Sequence, residues 1–274
     1  MRADGSQRLG HSRGWHASAM LEPRFWEVDA ARGAAIIMMV LYHLLYDLDT
    51  FGGYDIESTS GFWGGFADVT AFMFVFLVGI SLSISSSKAR AIGQPERDAF
   101  RKYLKRGARI FGYGMLITAA FWISGLGGAV IFGILHLIGA SIVLAYPFRN
   151  LGALNAGLGT LIVALGLYVG AQELVLEGLP GILLAPLGVT PADLLMPDYR
   201  PLLPWFGVVL LGLFAGDAIY GGENPRRKPA GSSPRLAGTR PLAFLGRHSL
   251  VIYLLHQPVL IATLGALGII SLGL

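Results

Sequence analysis

Seven stretches of this chain are apolar over roughly the 20 residues a helix needs to cross a bilayer, and that constrains the fold more than any motif does. They cover roughly 33–50, 63–86, 107–125, 128–148, 151–171, 202–220 and 247–270. With 54% hydrophobic and 14% charged residues among 274, and a mean hydropathy of +0.59, the chain carries too little charge for a water-soluble globule of its size. The expected fold is all-α, a polytopic membrane helix bundle of about seven transmembrane helices embedded in a lipid bilayer. Gly125, Gly127 and Gly128 place a tight hairpin between the third and fourth spans. The stretch from Leu179 to Val189 is apolar but short and broken by Pro180 and Pro186, with Pro191 just beyond, which predicts an interfacial or re-entrant piece. Residues 1–23 have no apolar core of the signal-peptide kind and read as a disordered cytoplasmic tail. Residues 24–274 read as one transmembrane domain, with a flexible cytoplasmic loop at 221–240 that is rich in Pro, Gly, Ser and Arg.

Basic residues set the orientation, because Lys and Arg accumulate on the cytoplasmic side of short loops. With the N-terminus inside, every Lys and Arg except Arg200 falls on an inner segment, while the outer segments carry Asp49, Asp55, Glu57, Glu173, Glu177, Asp193 and Asp198. An odd number of spans follows, with the C-terminus outside the cell membrane. The net charge of +4 then reflects topology, and no nucleic-acid partner is needed to explain it. The chain has no cysteine, so neither a thiolate nucleophile nor a disulfide framework is available. No metal site is expected. The 38 glycines suit close helix packing, and a homodimer is one arrangement open to such a bundle.

Ionisable groups inside hydrocarbon are costly and commonly mark a pathway or a reaction site. The first span, WEVDAARGAAIIMMVLYHLLYDL, has Asp29 and Arg32 at its entrance, His43 near its middle and Asp47 one turn later. At i, i+4 spacing Asp47 lies on the face of His43, where a carboxylate could fix the tautomer of the ring and support it as a general base. Tyr42 and Tyr46 flank the pair, and Tyr46 is a candidate substrate contact. His136 and His256 fall at similar depth in the fourth and seventh spans, which makes a shared polar cavity plausible. Each of these histidines also has a plainer role open to it, as a buried ring hydrogen-bonded between helices. The segment RKYLKRGAR sets Lys102, Lys105 and Arg106 at helical spacing before the third span. With Arg32 and Arg247 they form a cytoplasmic basic set suited to the phosphates of an anionic donor. Outside, Asp68 and Arg200 are the candidate contacts for a polar substrate, and a plain salt bridge of Arg200 to Asp198 or Asp68 is the favoured alternative.

Several of these segments, taken in order, resemble one known family. DAARG, YHLLYDL, ADVTAFMFVFLVGISL, KYLKRGARIFGYGMLIT, FGILHLIGASIVLAYPF, DYRPLLPWFGVVLLG and FLGRHSLVIYLLHQPVL look like the prokaryotic branch of the heparan-alpha-glucosaminide N-acetyltransferase catalytic-domain family, across residues 24–262. The first span also resembles the wider transmembrane acyltransferase superfamily. The resemblance implies transfer of an acetyl or other short acyl group from acetyl-CoA or another acyl-CoA in the cytosol to a sugar or glycan amine or hydroxyl across the membrane. Within the superfamily, the histidine of the first helix corresponds to His43. The lysosomal members have an asparagine near this position and a histidine shortly after the first span, whereas 50–62 here contains none. His43 is therefore the expected base, with His256 or His136 assisting at the thioester. A transporter or flippase of a polar or lipid-linked solute is the competing reading, since it too would use intramembrane His and Asp.

Overall fold

The computed structural model describes residues 25–124, 130–192, 198–221 and 239–271. The tail at 1–23 and most of the loop at 221–240 lie outside the described residues. The architecture is all-α. Its long helices are α1 (Trp26–Gly52), α2 (Gly61–Ala91), α3 (Glu96–Ser124), α5 (Leu154–Ala171), α7 (Leu202–Tyr220) and α9 (Ser249–Ala266). Shorter ones are α4 (Ile134–Leu144), α6 (Gly178–Leu184) and α8 (Thr239–Arg247), and a minimal parallel pair joins β1 (Val175–Leu176) to β2 (Thr190–Pro191).

Among the described residues five helices are long and apolar enough to cross a bilayer, namely α1, α2, α5, α7 and α9. Two of the expected spans differ. The first half of α3 is the charged run from Glu96 to Arg109, which dilutes the apolar character of its second half. The fourth expected span, 128–148, is helical only as α4, whose 11 residues rise about 16 Å at 1.5 Å each. Val130 to Gly133 precede α4 without helix, and Pro147–Asn150 form a separate 3₁₀ turn beyond it. The proline-broken stretch is a two-turn helix, too short to span.

The core is the seam of α2, α4 and α7, where Val75, Leu137, Ile142, Leu210 and Leu213 are fully enclosed. Helices α2 and α7 run parallel and touch backbone to backbone. A Cβ on Gly79 would strike the carbonyl of Val209, and one on Gly212 would strike that of Phe76. Such approach lets van der Waals contact and Cα–H contacts replace the hydrophobic drive that lipid cannot supply. Gly212→Leu is therefore expected to force the pair apart and lower the thermal midpoint in nanodiscs sharply, by about 3 kcal/mol or more of stability. Leucine at the lipid-open Gly157, where a Cβ meets nothing, should leave the midpoint unchanged.

Helix directions place the site. Arg32 of α1 reaches Ser81 late in α2, so these two are antiparallel. Contacts of Gly107 with Gly139, and of Gly114 with His136, make α3 and α4 antiparallel; those of Gly159 with Gly207, and of Gly166 with Pro204, do the same for α5 and α7. Helix α9 runs parallel to α1, joined to it by Gln257 and Asp47 and, near their ends, by Ser271 N–H donating to the carbonyl of Phe51. One end of the bundle thereby collects Arg32, Lys88, Arg90, the basic turns of α3, Arg149 and Arg247. The other collects Asp49, Asp55, Glu57, Asp68, Glu173, Glu177, Asp198 and a single described cation, Arg200.

Candidate active site

The polar interior is built where α1 and α9 lie side by side. His43 and His256 meet edge to face, with ring centroids 4.6 Å apart and planes at 79°. The Nδ1 of His43 lies 2.9 Å from the carbonyl of Met39, and the Nδ1 of His256 lies 2.7 Å from that of Tyr253. A ring nitrogen facing a carbonyl oxygen must carry the hydrogen, so each neutral ring keeps its lone pair at Nε2. The Nε2 of His256 is buried with no hydrogen-bond partner among the described residues.

Asp47 is fully buried, yet it does not hold His43. Its Oδ1 accepts a 2.6 Å bond from Nε2 of Gln257, and its Oδ2 has no partner among the described residues. The expected His43–Asp47 pairing is therefore corrected to His43–Met39 and Asp47–Gln257. The cause is helical: side chains lean toward the N-terminus, so the imidazole drops onto the preceding turn and takes the backbone carbonyl there. Pro258 follows in α9 and has no N–H to return to the carbonyl of Leu254, which loosens the helix beside the site.

Two cavities share His43, Tyr42, Asp198 and Tyr253 as a common wall. The smaller, about 50 Å³, lies between α1, α2 and the segment before α7, and includes Arg200. The larger, about 420 Å³, opens between α3 and α9 and takes in Tyr46, His256 and Gln257. On the common wall, Asp198 Oδ2 accepts from the Tyr253 hydroxyl at 3.2 Å and from the Ile134 N–H at 3.3 Å. Burial pushes the Asp198 carboxyl above its ordinary range, while Arg200 pulls the other way. Arg200 itself bonds Asp68 at 2.9 Å.

The expected site residues thus divide. His43, His256 and Tyr46 line the large cavity, Asp47 sits behind them on Gln257, and Arg200 with Asp68 closes the polar side. His136 does not join them. It lines neither cavity; its Nδ1 accepts from the N–H of Gly133, capping α4, and Phe132 and Phe111 pack on its ring. Lys102, Lys105, Arg106, Arg32 and Arg247 line neither cavity; all lie toward the basic end. Arg32 is already engaged by Asp29 at 3.4 Å and by Ser81. Sequence reasoning passed over Tyr253 and Gln257, although Tyr253, His256 and Gln257 stand at i, i+3, i+4 and so share a face.

The model of the family described as heparan-alpha-glucosaminide N-acetyltransferase, catalytic, matches residues 24–258. The chain belongs to that family. The match begins just before α1 and ends at Pro258, so it takes in His43, His256, Asp47, Gln257 and every residue lining the two cavities except Ile261. No curated protein and no solved structure matches the chain. Membership in the heparan-alpha-glucosaminide N-acetyltransferase family makes this an acyltransferase-type membrane protein, in agreement with its apolar helices. Among the described residues no cluster of His, Asp and Glu could hold a metal ion.

Proposed function

We propose that this chain transfers an acetyl or other short acyl group from acyl-CoA, held at the basic end, to the amine or hydroxyl of a sugar or glycan acceptor, with His43 as general base. The observation that carries the reading is the Nε2 lone pair of His43 at the wall shared by the two cavities, 4.6 Å between ring centroids from a second imidazole. By the accumulation of basic residues inside, the basic end faces the cytoplasm and the acidic end the exterior. The alternating directions of α1, α2, α3, α4, α5, α7 and α9 support seven crossings with the N-terminus inside and the C-terminus outside.

Acetyl-CoA supplies the activated acetyl group. Its phosphates fall to Lys102, Lys105, Arg106 and Arg247, since Arg32 is occupied by Asp29 and Ser81. The acceptor sits against Tyr42, Tyr46 and the Asp198–Arg200–Asp68 group. As its heteroatom attacks the thioester carbonyl, its proton passes to Nε2 of His43. The C–S bond breaks, the C–N or C–O bond forms, and the proton goes on to the departing thiolate, directly or through His256. The bonds that the two Nδ1–H groups donate to the Met39 and Tyr253 carbonyls fix both tautomers before substrate arrives, so no reorganisation is needed in the reaction.

The test is acetyl transfer by purified protein in nanodiscs, with isotopically labelled acetyl-CoA and an amino-sugar acceptor. Transfer dependent on acetyl-CoA is expected. Solute counterflow indifferent to CoA would replace this reading with transport. Lys102→Ala with Lys105→Ala is expected to raise the KM for acetyl-CoA about tenfold at low salt and less at high salt, leaving kcat close to unchanged, because exposed charges are screened within about 10 Å at 0.1 M. A salt-independent KM would remove these residues from the donor site.

A further inference from the structure

The larger cavity is far bigger than the acetyl group transferred, and most of its wall is apolar, which a sugar acceptor does not require. An acetyl group takes on the order of two water shares of about 30 Å³ each. The cavity measures about 420 Å³. Away from the histidines its walls are Leu116, Ile117 and Phe121 of α3 and Leu254, Pro258 and Ile261 of α9. Helix α3 packs on α4, and α9 on α1 and α8, so the cavity is the gap left between α3 and α9. Its rim is open: Leu116 is 65% exposed, and Ala120 and Pro258 are exposed beside it.

That rim lies on the apolar second half of α3 and on α9, the latter long and apolar enough to cross a bilayer. A ligand that fits must run apolar from the rim inward and turn polar at Tyr42, His43 and Asp198. Behind the shared wall, in the smaller cavity, one described cation, Arg200, is set against two carboxyl groups, Asp68 and Asp198, with the Asp68 pair already formed at 2.9 Å. No net positive charge remains there for a phosphate. A neutral or amine-bearing head fits.

We infer that the acyl acceptor is a membrane-borne amphiphile, a hydrocarbon chain carrying a neutral or amine-bearing polar head, which enters from the bilayer between α3 and α9 and lays its chain in this cavity with the head at His43. The acceptor role rests on the acyl-transfer reading; the chain site rests on the cavity alone. The acyl chain of the donor is the rival occupant. It is disfavoured because the cavity opens toward lipid, and none of the basic donor residues lines it.

The test uses full-length protein in phosphatidylcholine nanodiscs, titrated with methyl, butyl and octyl glucosaminide and read by change in intrinsic fluorescence. Wild type is compared with Leu116→Trp and Ile261→Trp, which fill the cavity from opposite walls, and with Leu161→Trp on the exposed face of α5 as control. Longer chains partition into every disc, so the quantity read is the ratio of wild-type to variant affinity at each length, from which partitioning cancels. For the two cavity variants that ratio is expected to rise at least tenfold from methyl to octyl, since each buried methylene is worth about fourfold. It should stay flat in the control. A ratio flat with chain length in the cavity variants overturns the inference. So does a ratio flat for the glucosaminides that grows from acetyl-CoA to octanoyl-CoA, which would assign the cavity to the donor. Acetyl transfer is measured on the same samples. Length-dependent binding without transfer to any glucosaminide counts against the transfer reading and leaves the chain site standing.

Discussion

Replacing His43 by alanine is expected to lower acetyl transfer by about 10³-fold, within the range of roughly 10² to 10⁴ for loss of a positioned general base. The loss should fall on kcat, with the KM for acetyl-CoA little changed, because the donor's basic residues stand elsewhere. His43→Gln should be nearly as inactive, since it keeps much of the bulk but offers no basic nitrogen. Folding should survive both changes. Among the described residues the imidazole makes one hydrogen bond, to the Met39 carbonyl, and that carbonyl already accepts from its own helix, so the loss is about 1 kcal/mol. Retention of more than a tenth of the wild-type rate by properly folded His43→Ala protein would remove the ring from the chemistry. His256→Ala should cost less, about tenfold, because His43 can return its proton to the thiolate without a relay.

Much of this arrangement could be read from residue order alone, because the bilayer reduces the choice of backbone to helices of a fixed length. Apolar run length placed α1, α2, α5, α7 and α9. The cost of burying an imidazole in hydrocarbon singled out His43 and His256. Hydropathy did not show that α4 is only 11 residues, since the non-helical piece from Val130 to Gly133 is as apolar as the helix it precedes. Helical spacing put Asp47 on the face of His43, but spacing is blind to a partner on another helix. Gln257 is 210 positions away and wins the carboxylate by tertiary contact. His136 matched the depth of the site and still went to a capping bond, because depth along an axis does not say which way a side chain points. Tyr253 and Asp198 carry no signal apart from their neighbours, and only the fold brings them to one wall.

The Asp47–Gln257 bond is the one polar tie found between α1 and α9 among the described side chains, and its removal should be felt at the site. Breaking it by Asp47→Ala leaves the Gln257 amide without its acceptor in a buried position, at a cost of about 1–3 kcal/mol. Because Gln257 follows His256 directly, the second imidazole should shift against the first. Since removing His256 costs about tenfold, displacing it should reduce turnover by no more than about tenfold. Gln257→Ala should match Asp47→Ala in rate, and the double variant should be no slower than either alone, since both substitutions remove the same bond. Residues in direct contact couple by about 0.5–3 kcal/mol, so the double-mutant cycle is the measurement that decides. Asp47→Asn provides the contrast. It still offers a carbonyl oxygen to Gln257 and should recover most of the rate if Asp47 acts by positioning α9. If instead Asp47→Asn is as slow as Asp47→Ala while stability is restored, the charge of Asp47 serves the reaction itself, and the role assigned here to its bond with Gln257 is wrong.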